Sequence, residues 1–354
     1  MTAAPGLESN RISKQLGFVL GGLLVVANLA AESVARAGAT DSAVITMYHR
    51  FAESRHPSTN VTLEQFESHL RELGDGAYAV LPIAEILSAL RDRRALPEHT
   101  VGLTVDDAYL SVYRVAWPRL REAGYPFTLF VATDAVDRGL GGYMNWDQIR
   151  ELARAGVTVG SQTASHLHMA DTDYEGNRRD IERSNRRFVE ELGQAPDLFA
   201  YPYGEASLAV VDLIRDSGFV AAFGQHSGVL GSGDDPYFLP RFAMNEKYGG
   251  IERFRLAVNA LALGITEFTP EDPLIGAQNP PPIGFTVLAP SSGLDRLACY
   301  AAHEGRARLE RLGSSRFEVR LETPLPAGRT RLNCTLPTDS GRWRWFGRQF
   351  YVAP

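Results

Sequence analysis

A chain of 354 residues has room for one large domain and a smaller one, and 44% hydrophobic with 22% charged residues is the make-up of an ordinary globular protein. A formal net charge of −6, with no long basic run, excludes a general nucleic-acid binder.

Arg11 and Lys14 precede an apolar stretch over residues 16–31, broken only by glycines and Asn28. Ala35-Arg36-Ala37 and Ala37-Gly38-Ala39 then fit a small-residue cleavage pattern. Residues 1–39 read as a secretory signal peptide, with an uncleaved membrane anchor through residues 16–31 as the alternative. Either places the rest of the chain in the periplasm or outside the cell.

From Ala43 the pattern alternates. Residues 43–48, 78–81, 101–105, 127–132, 157–160, 198–201 and 219–223 read as strands. Residues 62–73, 83–90, 113–123, 146–155, 174–192, 208–217 and 251–262 read as helices, with Thr62 and Asn145 as N-cap candidates. Strands alternating with helices predict a mostly parallel α/β sheet, a barrel or a doubly wound sheet, over residues 40–264. Prolines 270, 273, 280, 281 and 282 mark residues 265–282 as a linker. Beyond it, short β-rich runs over residues 283–354 predict a small all-β sandwich. The two cysteines, Cys299 and Cys334, both fall there, and in an oxidising compartment they read as one disulfide, two separate buried thiols being the alternative.

The run Val101–Val105 drives into Asp106-Asp107. Two adjacent carboxylates are costly unless a cation or a shared proton offsets them. The pair is therefore a candidate for metal binding and base chemistry, against the plainer reading of a solvated turn. Other strand ends carry His49, Gln162, His166, Tyr203 and Arg241, and in a βα architecture such ends converge on one face. No G-x-S-x-G elbow is present to support a serine hydrolase.

Three segments in order, Thr104-Val105-Asp106-Asp107-Ala108-Tyr109, Ser161-Gln162-Thr163-Ala164-Ser165-His166 and Pro202-Tyr203-Gly204, resemble the motifs of the polysaccharide deacetylases (carbohydrate esterase family 4, the NodB homology domain). The resemblance covers roughly residues 43–262 and leaves the β module outside. It implies a distorted seven-stranded barrel-like domain. It also implies an exported hydrolase that removes N-acetyl groups from N-acetylglucosamine-containing polysaccharide or chitooligosaccharide, using a divalent metal, usually zinc. Carried over, Asp106 is the general base, Asp107 and His166 are metal ligands, and the Tyr203 backbone N–H is an oxyanion donor. The general acid implied is His49, because Tyr48-His49 is similar to a Tyr-His pair in the branch acting on poly-N-acetylglucosamine, and the Leu-x-x-His segment of other members is missing.

Two departures stand out. Gln162 occupies the place of the family's first metal histidine, and an amide oxygen is a poorer zinc ligand than imidazole. Gln162 or water would complete the shell, or His168 would substitute, or the site is degenerate and the protein a carbohydrate-binding one. Ala200 stands where many members carry an arginine that pairs with the base, a role Arg241 would take. His226 is a weaker candidate for the site. His56, His69, His99 and His303 join no constellation and read as surface residues.

Overall fold

Two central strands, β1 (Ser42–Tyr48) and β2 (Thr100–Asp106), are buried at every position. Parallel strands covered on both faces call for largely apolar sequence, which both supply apart from Ser42, Thr46, Thr100, Thr104 and Asp106. In the computed structural model, which describes Met1 and residues 39–288 and 293–354, five further strands extend them. These are β3 (Thr128–Val131), β4 (Thr158–Ser161), β5 (Leu198–Ala200), β6 (Ala221–Phe223) and β7 (Leu230–Gly231). Their order is β6-β5-β4-β3-β2-β1-β7, parallel except for β7. The sheet curls into a seven-stranded half-barrel. The expected signal or anchor, residues 1–39, lies almost wholly outside the described residues. Among those described, no helix is long and apolar enough to cross a membrane.

Register brings the strand ends level. Tyr48 pairs with Val105, Asp106 with Phe130, Val131 with Ser161, and Ala200 with Phe223. The residues that follow each strand therefore emerge along one rim. Helices cover the outside and start where their caps dictate. Thr62 and Asn145 each close a capping box with the glutamine three residues on, satisfying backbone donors that a helix start leaves unpaired. The helix expected over 113–123 is instead a π turn, Val112–Ala116, followed by Trp117–Glu122. Pro118 sits at the start of the second piece and has no N–H for an uninterrupted ladder.

The stretch expected as a linker is built into both domains. Ile265–Thr269 is a strand antiparallel to Ile283–Val287. Farther on, Ile275 N–H donates to Tyr351 C=O, and Asp272 Oδ1 accepts from Leu208 N–H. Prolines punctuate this segment without freeing it, because the strand precedes them and side chains tie down the remainder.

The C-terminal region is two sheets over one apolar core, with Phe285 and Phe317 from one sheet facing Cys334, Leu332 and Phe350 from the other. Cys299 and Cys334, paired directly across adjacent strands, form a disulfide. Its long hairpin, β8 (Gly328–Pro337) and β9 (Trp343–Val352), reaches back to the half-barrel. Leu261–Ala262 pairs parallel with Arg344–Trp345 of β9. At Gly347 the approach is so close that a Cβ would lie 1.8 Å from Ser227 C=O. Gly347→Ala must push the two backbones apart, so urea unfolding should show a loss of about 1–3 kcal/mol.

His69, read as a surface residue, is fully buried and stacks on Phe254 with ring centroids 4.0 Å apart. Its Nε2 is 2.8 Å from Gly249 C=O and its Nδ1 3.0 Å from Tyr48 Oη, so the neutral ring is held by one donated and one accepted bond. A lone histidine on a helix carries no signal of this, since its partners lie far along the chain. Burial lowers its pKa from 6.5 to about 4. A depressed histidine stabilises the fold above the unfolded-state value and loses that contribution as pH falls. Stability should therefore decline between about pH 6.5 and pH 4, by up to about 3 kcal/mol. Denaturant titrations of wild type and His69→Phe across that window should show a steeper fall for wild type.

Candidate active site

Asp106 ends β2 with no exposed surface, and Arg241, equally buried, meets it with two hydrogen bonds. Nη1 donates to Oδ1 at 2.7 Å and Nη2 to Oδ2 at 2.8 Å. The guanidinium is fixed in turn. Its Nε donates to Gly224 C=O and Nη1 to Thr104 Oγ1, both at 3.0 Å, and its central carbon lies 5.3 Å from the Phe130 ring and 5.8 Å from the Phe223 ring. Such a planar two-point pair fixes the orientation of the carboxylate. His49, following β1, brings Nε2 to 3.9 Å from Asp106 Oδ2 and is largely covered.

The neighbouring residue turns the other way. Asp107 has φ 73° and Ala108 φ 49°, a left-handed step no glycine relieves. Its N–H is held by Phe130 C=O at 3.0 Å and Gln162 Oε1 at 3.3 Å. Thr163, His166 and Tyr203 at neighbouring strand ends are left-handed too. Non-glycine residues forced into this region cluster at functional sites, where surrounding contacts over-determine them. Here the supports are visible: Asp180 Oδ2 accepts from Ala164 and Ser165 N–H at 3.1 and 3.0 Å, and Thr163 Oγ1 accepts from His166 N–H at 3.0 Å.

These turns deliver Asp107 Oδ1 to 3.3 Å from His166 Nε2. Burial pushes the Asp107 carboxyl up, but His166 and His49 beside it prevail and hold it at about 2. For His166 burial lowers the pKa and Asp107 raises it, the net direction being up. Tyr203 packs against this pair, its ring 4.5 Å from the His166 ring and stacked at 4.1 Å on His168. Opposite, Arg50 lies 3.4 Å over the ring of Tyr109, which leans on Tyr143 at 4.8 Å.

Residues 93–222 match the family model "Polysaccharide deacetylase". The chain is 22% identical over 201 residues to a poly-β-1,6-N-acetyl-D-glucosamine N-deacetylase of Staphylococcus aureus, covering 53% of this chain and 68% of that one. Among solved structures, IcaB from Ammonifex degensii superposes with a TM-score of 0.54 at 28% identity, over 62% of this chain and 97% of its own. The Streptococcus pyogenes deacetylase PplD shares the fold, with a TM-score of 0.57 at 20% identity over 61% of this chain and 98% of its own. The α/β domain is thus similar to the polysaccharide deacetylases, in sequence over residues 93–222 and in fold.

A deacetylase of this family is expected to hold a cation, and the donors present fit one in a reduced form. Asp107 Oδ1 is buried and has no hydrogen-bond partner despite its nearness to His166. A buried acceptor left unpaired calls for an ion or a proton. Asp107 and His166 would be the two strong ligands. The third neighbour is the Gln162 carboxamide, fully buried, whose Nε2 also lacks a partner. Among the described residues no three His, Cys, Asp or Glu side chains group to hold a metal. The set amounts to carboxylate, imidazole and amide.

The other histidines sort themselves out. His168 is half exposed and gives its Nδ1 to buried Glu205 at 2.7 Å, away from Asp107. His226 is buried behind Arg241, whose N–H its carbonyl accepts at 2.8 Å, with its ring on Phe238. Burial, then Arg348, pushes its pKa well below the ordinary value. Sequence reasoning passed over Arg50, Tyr143 and Glu205. No motif carries them, and only the loops bring them to the rim.

Removing one member of a buried bidentate pair strands a charge, at about 3–5 kcal/mol. Arg241→Met should lose that much in urea unfolding, and most of it should return in Arg241→Met combined with Asp106→Leu. A smaller loss in the single variant, or none regained in the double, would contradict the pairing as the stabilising contact.

Proposed function

We propose that this protein is an exported, metal-dependent N-deacetylase acting on a polymer or oligomer of N-acetylglucosamine, poly-N-acetylglucosamine first among them. The observation that carries this reading is the buried Asp106–Arg241 pair beside Asp107 and His166, with His49 across from Asp106. The name of the Staphylococcus relative supports the substrate class, and residues 1–39 support export.

In this reading Asp106 is the general base. Arg241 occupies one lone pair on each carboxylate oxygen and leaves further lone pairs free to take a proton from water. The water oxygen adds to the acetamide carbonyl carbon, and the carbonyl oxygen takes the negative charge. The Tyr203 N–H, presented by a left-handed turn, donates to that oxygen. His49 then gives a proton to the sugar nitrogen as the C–N bond breaks, releasing acetate and a free amine. A divalent cation, zinc in the first instance, held by Asp107, His166 and Gln162, would supply Lewis-acid polarisation of water and carbonyl. Tyr109 and Tyr143 would wall the sugar.

The second reading is a glycan-binding protein on a weakened catalytic scaffold, and Gln162 is the observation that favours it. Acetate release from acetylated oligomers of glucosamine, with zinc or cobalt added, separates the two. On the first reading wild type turns over, Asp106→Asn loses about 100-fold or more, and Gln162→His binds metal more tightly by calorimetry. Equal rates for wild type and Asp106→Asn would end the enzymatic assignment. Activity appearing only in Gln162→His would establish the second reading.

A further inference from the structure

The Tyr203 turn is held from outside its own domain. Tyr203 sits at φ 59° and ψ 2°, and Gly204 follows at φ 70°. Two successive left-handed residues leave their carbonyls outside any ladder. Both are met by strand β9. Gln349 Nε2 donates to Gly204 C=O at 2.7 Å and to Tyr203 C=O at 3.2 Å. Arg329 of β8 adds a third donor, Nη1 to Tyr203 C=O at 3.2 Å. The loop behind the turn is gripped likewise, Arg331 Nε donating to Gln225 C=O at 2.9 Å. That loop touches the turn directly, since a Cβ on Gly204 would lie 2.6 Å from Gln225 N.

Gln349 is an odd choice for mere packing. It is 1% exposed, and its Oε1 is buried with no hydrogen-bond partner. An apolar side chain of the same length would avoid that unpaired oxygen. Two carbonyls facing one amide need its NH2 group, which fixes which end points at the turn. The one thing the amide gains over a methylene chain is the two bonds to the turn.

We infer that Gln349 is a positioning residue: resting on the deacetylase reading, it holds the Tyr203–Gly204 turn so that the Tyr203 N–H meets the oxyanion, which makes the C-terminal hairpin part of the active-site scaffold. A donor that acts only on the developing charge alters kcat and leaves KM in place. A small displacement of such a donor is enough to slow the reaction.

The test compares Gln349→Met, which keeps volume and removes the donor, with Arg344→Met. Arg344 docks the same hairpin through Ala262 C=O at 2.9 Å, away from the turn. Amide exchange in the full chain reads the turn directly, through the Gly204 N–H bonded to Tyr201 C=O and the Glu205 N–H bonded to Pro202 C=O. In Gln349→Met both amides should exchange at least about tenfold faster, and kcat for acetate release should fall about 10- to 100-fold with KM within about twofold. Arg344→Met should leave exchange at the turn and kcat as in wild type, even if its melting temperature drops. Unchanged exchange in Gln349→Met, or equal acceleration in Arg344→Met, overturns the hold on the turn. Faster exchange with undiminished kcat overturns its catalytic meaning. Wild type that releases no acetate removes the deacetylase reading and the catalytic half with it, while exchange still decides the hold.

Discussion

A buried carboxylate survives beside a second one because a guanidinium is clamped onto it. The Asp106–Arg241 pair lies at the end of the central strand with no water contact on either side chain. Taking both charges out of water is costly, and only two good hydrogen bonds with fully committed remaining donors recover the cost. That requirement organises the surroundings: Thr104 and Gly224 accept two more guanidinium protons, and the rings of Phe130 and Phe223 pack against the group. With one charge neutralised, Asp107 is free to associate with His166.

The same pair shows what could be read from the chain and what could not. Asp106-Asp107 announces itself because an apolar strand running into two carboxylates is a rare local pattern. His166 and Tyr203 come through their short segments. That Arg241 faces Asp106 follows from the parallel pairing of Phe242–Ala243 with Thr46–Met47, which brings a distant segment alongside β1. The missing arginine at Ala200 pointed toward a replacement, and only the sheet supplied its position. His69 marks the opposite case, with identical local chemistry in an exposed and a buried histidine. Its state is set by Gly249, Tyr48 and Phe254, none of them near it in sequence.

The proline-rich stretch was misleading for a related reason. Composition reports local stiffness, and prolines at 270, 273 and 280–282 do punctuate the chain. Whether such a stretch hangs free depends on what its remaining backbone groups find. Here Asp272 ties it to the N-terminus of the helix Leu208–Asp216, and Asn279 ties it to Leu325 through both ends of its amide. Two domains that composition separates are joined over a broad seam of arginines donating to backbone carbonyls.

The pairing of Leu261–Ala262 with β9 also bears on the order in which the molecule is made. A ribosome delivers the half-barrel strands first and the segment carrying Arg344, Gly347 and Gln349 only after them. Until that segment emerges, the edge at Leu261–Ala262 lacks its neighbour and the loop at Ser227 lacks its cover. A nascent chain thus carries its carboxylates and imidazoles before the surface that braces them exists, and the rim is closed only once β9 has followed the half-barrel out of the ribosome.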